Sequence, residues 1–209
     1  MLPSLLAYKR KVSRKLVFLG DSITQGVRNE LDGYTFWAAK IAEGLGTDVG
    51  VWNIGSGWAR AYDLVNSSAW LAKAKQGDEV AICIGVNDIG TAKRSAEQII
   101  ADLTSIIGQL QEDAASRKLW LFTLPAFNFT GEHELVWRTV NSWIRTHAKV
   151  DGVFDIAAVL GQAAPDEHLL QEAFMSPHQD PHPNGAAGTA VAEAFLAWYE
   201  KQIGSKSTE

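Results

Sequence analysis

Five short apolar runs, each followed by a longer amphipathic stretch, limit what this chain can fold into more than any other feature. The runs are KLVFLG (15–20), DVGVWNI (48–54), EVAICIGV (79–86), KLWLFTL (118–124) and VDGVFDI (150–156). Each is brief and rich in Val, Ile, Leu or aromatics, as strands covered on both faces must be. Between them lie helical stretches at 33–46, 61–76, 95–116, 132–149 and 185–202. In the third of these, Ile99, Leu103, Ile106, Ile107 and Leu110 recur on one face. Strand and helix alternating five times predict an α/β fold: a five-stranded parallel sheet with helices on both faces. The 209 residues suit one domain. The expected division is an arm over 1–14, a single domain over 15–203 and a tail over 204–209. No repeat or low-complexity tract interrupts it.

Charge and cysteine content narrow the function classes. A net charge of -5 argues against a nucleic-acid partner, which needs a concentrated positive face. The one basic cluster, YKRKVSRK (8–15), reads as a solvated arm ahead of the first strand. The single cysteine, Cys83, rules out an intrachain disulfide and sits in an apolar run, as a buried small hydrophobe would. No secretory signal is seen and no run reaches membrane-spanning length, so a cytoplasmic protein without a membrane span is expected. A secreted chain already relieved of its signal would read the same. Nothing in the sequence sets an oligomeric state.

In open parallel sheets, ligands bind beyond the carboxyl ends of the strands, and polar clusters collect there. GDS follows the first run, NIGSG the second, GVND the third, and HQDPHPN precedes the last helix. Ser22 falls at the start of a segment, where free backbone N–H groups lower the cost of negative charge. Asp and Ser after a strand are also ordinary helix caps. No G-x-S-x-G elbow, G-x-x-x-x-G-K-[ST] or G-x-G-x-x-G occurs. A nucleophilic serine needs a base, and there are five histidines. His133 and His147 read as solvated, and His168 as a surface pairing among acidic residues. His178 and His182 remain, in a proline-stiffened loop, and Pro183 keeps His182 out of helical conformation. An oxyanion needs preorganised donors. The glycines of NIGSG and the side chain of Asn87 supply candidates, although Asn at a strand end is often only a turn former.

Together the blocks GDSITQG, NIGSG, GVND and HPN resemble, in wording, order and spacing, the four blocks of the SGNH, or GDSL-like, hydrolases. The resemblance runs from residue 15 to about 202. It implies a three-layer α/β/α sandwich of flavodoxin-like type and ester hydrolysis through an acyl-enzyme, with no metal or organic cofactor and a small-molecule ester as substrate. Residue by residue, Ser22 matches the nucleophile and one backbone oxyanion donor, Asn87 the side-chain donor, and His182 the base.

Two places depart from the family pattern. The donor glycine of the second block should lie five residues after Asn53, which is Trp58; Gly57 is one place early and is the expected donor, with Gly55 and Trp58 as alternatives. The family also places aspartate three residues before the histidine. That position is Gln179 here, and Asp180 is two before. Three arrangements stay open: Asp180 reaches His182 through a different bend, another acceptor such as Asp155 replaces it, or a Ser–His dyad operates. Of eight tryptophans, Trp37, Trp70, Trp143 and Trp198 read as core, whereas Trp58 and Phe127 follow strand ends and either line a substrate pocket or cover the sheet edge. The expectation is a serine esterase acting on short acyl esters or acetylated carbohydrates. A non-catalytic ligand- or carbohydrate-binding descendant is the alternative, and a flavin binder of the same topology is a second.

Overall fold

The computed structural model describes residues 10–30, 33–65, 68–177 and 180–204. Most of the arm, the last five residues of the tail, and His178 with Gln179 lie outside the described residues. Strands β1 (Arg14–Gly20), β2 (Val49–Asn53), β3 (Glu79–Cys83), β4 (Lys118–Phe122) and β5 (Gly152–Phe154) form one parallel sheet in the order β2-β1-β3-β4-β5. The helices are α1 (Ser22–Gln25), α2 (Trp37–Leu45), α3 (Ala61–Val65), α4 (Ala69–Ala74), α5 (Val86–Gly90), α6 (Ala96–Asp113), α7 (Glu132–His147), α8 (Ile156–Leu160) and α9 (Gly185–Gly204). A two-stranded antiparallel ribbon, β6 (Met175–Ser176) and β7 (Asp180–Pro183), precedes α9.

The period-two alternation of side chains along a strand divides the interior into two cores. Val17 and Leu19 of β1, Val80 and Ile82 of β3, and Leu119 and Leu121 of β4 face one side. There they meet Leu71 of α4, Ile99, Leu103 and Ile106 of α6, and Trp137, Val140 and Ile144 of α7. The intervening residues Leu16, Phe18, Ala81, Trp120 and Phe122 face the other side, against Trp37 and Ile41 of α2, Ile156 and Leu160 of α8, and Val191, Phe195 and Tyr199 of α9. Both faces are therefore covered, giving the three-layer sandwich. Cys83 is buried in the second core.

Several boundaries differ from the sequence reading. The stretch 61–76 is two helices, because the Ser68 hydroxyl caps a new start by accepting the Leu71 N–H at 3.1 Å. The stretch 33–46 becomes helical only at Trp37, after Tyr34 in the left-handed region (φ 49). The loop expected over HQDPHPN is in part strand β7. Proline lacks an N–H, yet a two-stranded ribbon tolerates it, and residues preceding proline favour extended backbone. Trp37 is buried; Trp70, Trp143 and Trp198 pack against the cores while partly exposed. Trp120 and Trp137, not singled out in the sequence, are buried.

The strand order places the site. The chain leaves β1 for β2 on one side and returns to β3 on the other. The carboxyl ends of β1 and β3 thus flank the crevice where connections diverge. Ser22 follows β1 and Asn87 follows β3 at that crevice.

Candidate active site

Gly20 ends β1 against its neighbours: a Cβ there would stand 2.0 Å from Thr24 Oγ1 and 2.4 Å from the Cys83 carbonyl. The chain therefore turns directly into α1. Asp21 caps that helix, its Oδ1 accepting the Ile23 N–H at 2.9 Å. Asp21 is buried, and burial, with the nearby Asp88 adding to it, pushes its carboxyl up to about 7. Ser22 is the first helical residue, and its Oγ lies 3.0 Å from His182 Nε2.

His182 stands on β7, with Asp180 two residues before it. On an extended strand that spacing puts both side chains on one side. Asp180 Oδ1 accepts the backbone N–H of His182 at 3.0 Å and lies 2.6 Å from its Nδ1. The departure from the family spacing thus leaves the contact intact, because the carboxylate folds back on its own strand in an Asx-type turn. Burial works to raise the Asp180 carboxyl, but the bonds from His182 and from Arg28 outweigh it and hold the group below the usual carboxylate range. An ionised carboxylate only accepts, so Nδ1 carries the hydrogen and Nε2 is left to accept the Ser22 hydroxyl. Asn184, the last residue of the HPN block, anchors the strand: its Oδ1 accepts the Ala186 and Ala187 N–H groups at the start of α9, and its Nδ2 donates to the Ala173 and Met175 carbonyls. Asp155 is elsewhere. It caps α8 and pairs with Arg145 and Thr123, which removes it as a substitute acid.

Candidate donors come from the loop after β2 and from α5. One N–H of the Asn87 amide goes to the Ala59 carbonyl at 3.1 Å; the amide has a second. Asp88, next in sequence, accepts the Ala61 N–H at 2.8 Å. These bonds fix the loop after β2 from the β3 side, and Asn53 fixes it from the α1 side by donating to the Thr24 carbonyl at 2.7 Å. Asn53 Oδ1 also takes the Gly55 N–H at 2.9 Å. The Gly55 N–H is therefore committed to Asn53. Position 55 is glycine because a Cβ would stand 2.4 Å from the Gln25 nitrogen and 2.9 Å from the Asp21 carbonyl. Among the described residues the Ser22, Gly57 and Trp58 N–H groups make no hydrogen bond.

Ser22, Gly57, Asn87, Asp180 and His182 line one cavity of about 470 Å³, joined by Val27, Arg28, Val86, Thr91, Phe127 and Trp58. Phe127 meets the His182 ring edge-on, with centroids 5.4 Å apart. Trp58 is 75% exposed at the rim and has a left-handed backbone (φ 64), a conformation that a bulky residue adopts at a cost. His168 is buried rather than at the surface, its ring 3.0 Å from Arg138 and its carbonyl accepting from Phe127 and Asn128. It supports the loop behind the site. His147 is exposed and His133 half-buried, both away from the cavity lining. Among the described residues no three His, Cys, Asp or Glu side chains gather as metal ligands would, and no helix is long and apolar enough to cross a membrane. The sequence reading missed Arg28, which has no motif to mark it.

A comparison with curated proteins returns no match. Solved structures share the fold. TesA aligns with a TM-score of 0.69 at 22% identity, over 90% of this chain and 99% of that one. A family two carbohydrate esterase from Clostridium thermocellum, solved with cellohexaose, aligns at 0.66 and 18% identity, over 96% of this chain and 68% of its own. A carbohydrate esterase family 3 protein from Talaromyces cellulolyticus aligns at 0.66 and 16%, over 93% and 100%. The sequence profile of the GDSL-like Lipase/Acylhydrolase family matches residues 18–189. With that match spanning most of its length, the chain belongs to the GDSL-like lipase/acylhydrolase family of ester hydrolases.

Proposed function

We propose that this protein is a serine esterase that cleaves short acyl esters, acetylated carbohydrates among them, through an acyl-enzyme on Ser22. The observation that carries the reading is the unbroken chain from Asp180 through His182 to Ser22, at 2.6 and 3.0 Å, at the wall of a cavity. In this reading Ser22 Oγ attacks the ester carbonyl carbon and gives its proton to His182 Nε2. Asp180 stabilises the imidazolium. The negative charge on the carbonyl oxygen is met by the N–H groups of Ser22 and Gly57 and by the Asn87 amide. The carbon–alkoxide bond then breaks as His182 returns the proton to the leaving alcohol. Water, deprotonated by His182, attacks the acyl-enzyme, and the acid leaves with Ser22 restored.

Three features favour a small acyl group on a larger, ring-bearing alcohol. The cavity is modest for a substrate site. An exposed indole at its rim offers a flat face to a sugar ring. Two structural neighbours are carbohydrate esterases by name. The test is a panel of aryl esters of increasing acyl length, with acetylated sugars and a thioester, run on wild type and Ser22→Ala. Turnover of the acetyl compounds that vanishes in Ser22→Ala, together with labelling of wild type alone by a fluorophosphonate, is expected. An unlabelled, inactive wild type would make the protein a ligand-binding relative of the family instead.

A further inference from the structure

We infer that Arg28 is a positioning residue for the reaction: it closes the loop that follows the nucleophile onto the strand that carries the base, and holds Asp180 in the orientation His182 needs. The inference rests on the assignment of Ser22, His182 and Asp180 given above.

The two carboxylate oxygens of Asp180 divide their partners. Oδ1 serves His182 alone, through both Nδ1 and the backbone N–H. Oδ2 takes the Arg28 Nε–H at 2.7 Å. A carboxylate held by one oxygen still rotates about its Cβ–Cγ bond; bonds to both oxygens fix its plane. The next residue adds a second grip on the same strand. Asn29 Nδ2 donates to the Pro183 carbonyl at 3.1 Å, while Asn29 Oδ1 accepts the Thr35 hydroxyl at 3.2 Å. Two consecutive residues, six and seven positions after Ser22, thus clasp the residues on either side of His182.

Backbone conformation supports a functional reason for this loop. Arg28 has φ 71, a left-handed conformation that a non-glycine residue adopts at a cost. Its side chain is 63% exposed, so its ion pair contributes little to stability. A strained, exposed arginine whose polar partner is the acid of a catalytic chain fits a site-positioning role. The spacing also makes the clamp necessary. With Asp180 only two residues from His182, the carboxylate reaches the ring by folding back on its own strand, and nothing on that strand secures its outer oxygen.

The charge has a second effect. Among the described residues, the charged and titratable groups that face the Asp180–His182 pair are Arg28, on Asp180, and the Ser22 hydroxyl, on His182; the remaining ring neighbour is Phe127. Asp21 precedes Ser22 but turns its carboxyl to the Ile23 N–H. Removing the Arg28 cation leaves the pair holding its proton more tightly, so the acid limb of the pH–rate profile moves to higher pH.

The experiment is a double-mutant cycle on hydrolysis of an activated aryl acetate, with Arg28→Asn, Asp180→Asn, the double variant and Ser22→Ala, each followed across pH. Asparagine tolerates the left-handed backbone at position 28, which protects the fold. Arg28→Asn is expected to lower kcat about ten- to a hundredfold with KM nearly unchanged, since a misplaced catalytic group costs on that order. The acid limb should rise, and the same substitution should cost almost nothing in the Asp180→Asn background. Arg28→Lys, which keeps the cation, should hold the acid limb near its wild-type position and recover part of kcat; it also carries the test if Arg28→Asn does not fold. An equal loss in both backgrounds, or an acid limb that stays in place with Arg28→Asn, overturns the inference. Activity surviving in Ser22→Ala overturns instead the assignment on which it rests.

Discussion

Asp21 offers the sharpest test of the electrostatics beneath Ser22. Its carboxyl is buried at the root of α1 and lifted from an ordinary 3.8 to about 7 by loss of water, with Asp88 nearby. A carboxyl with a raised value in the fold binds its proton more tightly folded than unfolded. Its contribution to stability is therefore complete below about pH 4 and is lost as pH rises through about 7. At about 1.4 kcal/mol per pH unit, the displacement corresponds to at most about 4 kcal/mol. Asp21→Asn keeps an Oδ1 acceptor for the Ile23 N–H and an equally good cap, but never ionises. Urea unfolding of both proteins at half-unit steps from pH 4 to pH 8 measures the difference. Near pH 4 the two should be almost equally stable. By pH 8 the variant should be ahead by a few kcal/mol, with most of the divergence between pH 5 and 7. A difference that stays constant across the range would refute the argument, because it would mean that Asp21 gives up its proton as readily folded as unfolded.

Other outcomes follow from the same geometry. Asn87→Ala should lower kcat by about two to three orders of magnitude with a small change in KM, measured on an aryl acetate, since the amide donor is needed most where the oxyanion forms. Gly55→Ala places a methyl 2.4 Å from the Gln25 nitrogen and should lower both the melting temperature and kcat, read by calorimetry and by initial rates. At position 58, Trp→Gly and Trp→Ala both remove the rim indole and should raise KM for acetylated sugars. Only glycine relieves the left-handed backbone, so Trp58→Gly should be more stable than Trp58→Ala by about 1 kcal/mol in urea unfolding.

The central strands were legible because they had to be apolar on both faces, as the buried strand at the start of EVAICIGV is. The long helices α6 and α7 were legible from their apolar stripes. Short elements were not. Helices α1 and α5 span four and five residues, less than two turns, and their sequences SITQ and VNDIG carry no periodicity to read. The ribbon of β6 and β7 is built from DPHP, in which two prolines argue against a strand until the ribbon is seen to need few ladder bonds. At the candidate site, the chemistry-bearing residues could be named from the sequence and their connections could not. The sequence named Ser22, Asn87 and His182, but whether a carboxylate two residues from a histidine meets its ring depends on the extended backbone of β7. Which glycine of NIGSG keeps a free N–H depends on where the Asn53 amide turns, and that amide takes Gly55. Arg28 shows the limit. A lone arginine after a turn reads as a solvated charge until the fold places Asp180 against it.

The bond between Ser22 and His182 joins residues 160 positions apart. During synthesis, which runs from the N-terminus, all five strands of the sheet precede the residue that would activate the serine. A chain interrupted anywhere before the ribbon lacks the base proposed for Ser22. In the proposed reaction, reactivity is thus among the last properties the growing chain acquires, and a truncated product would be a folding problem without also being a stray hydrolase.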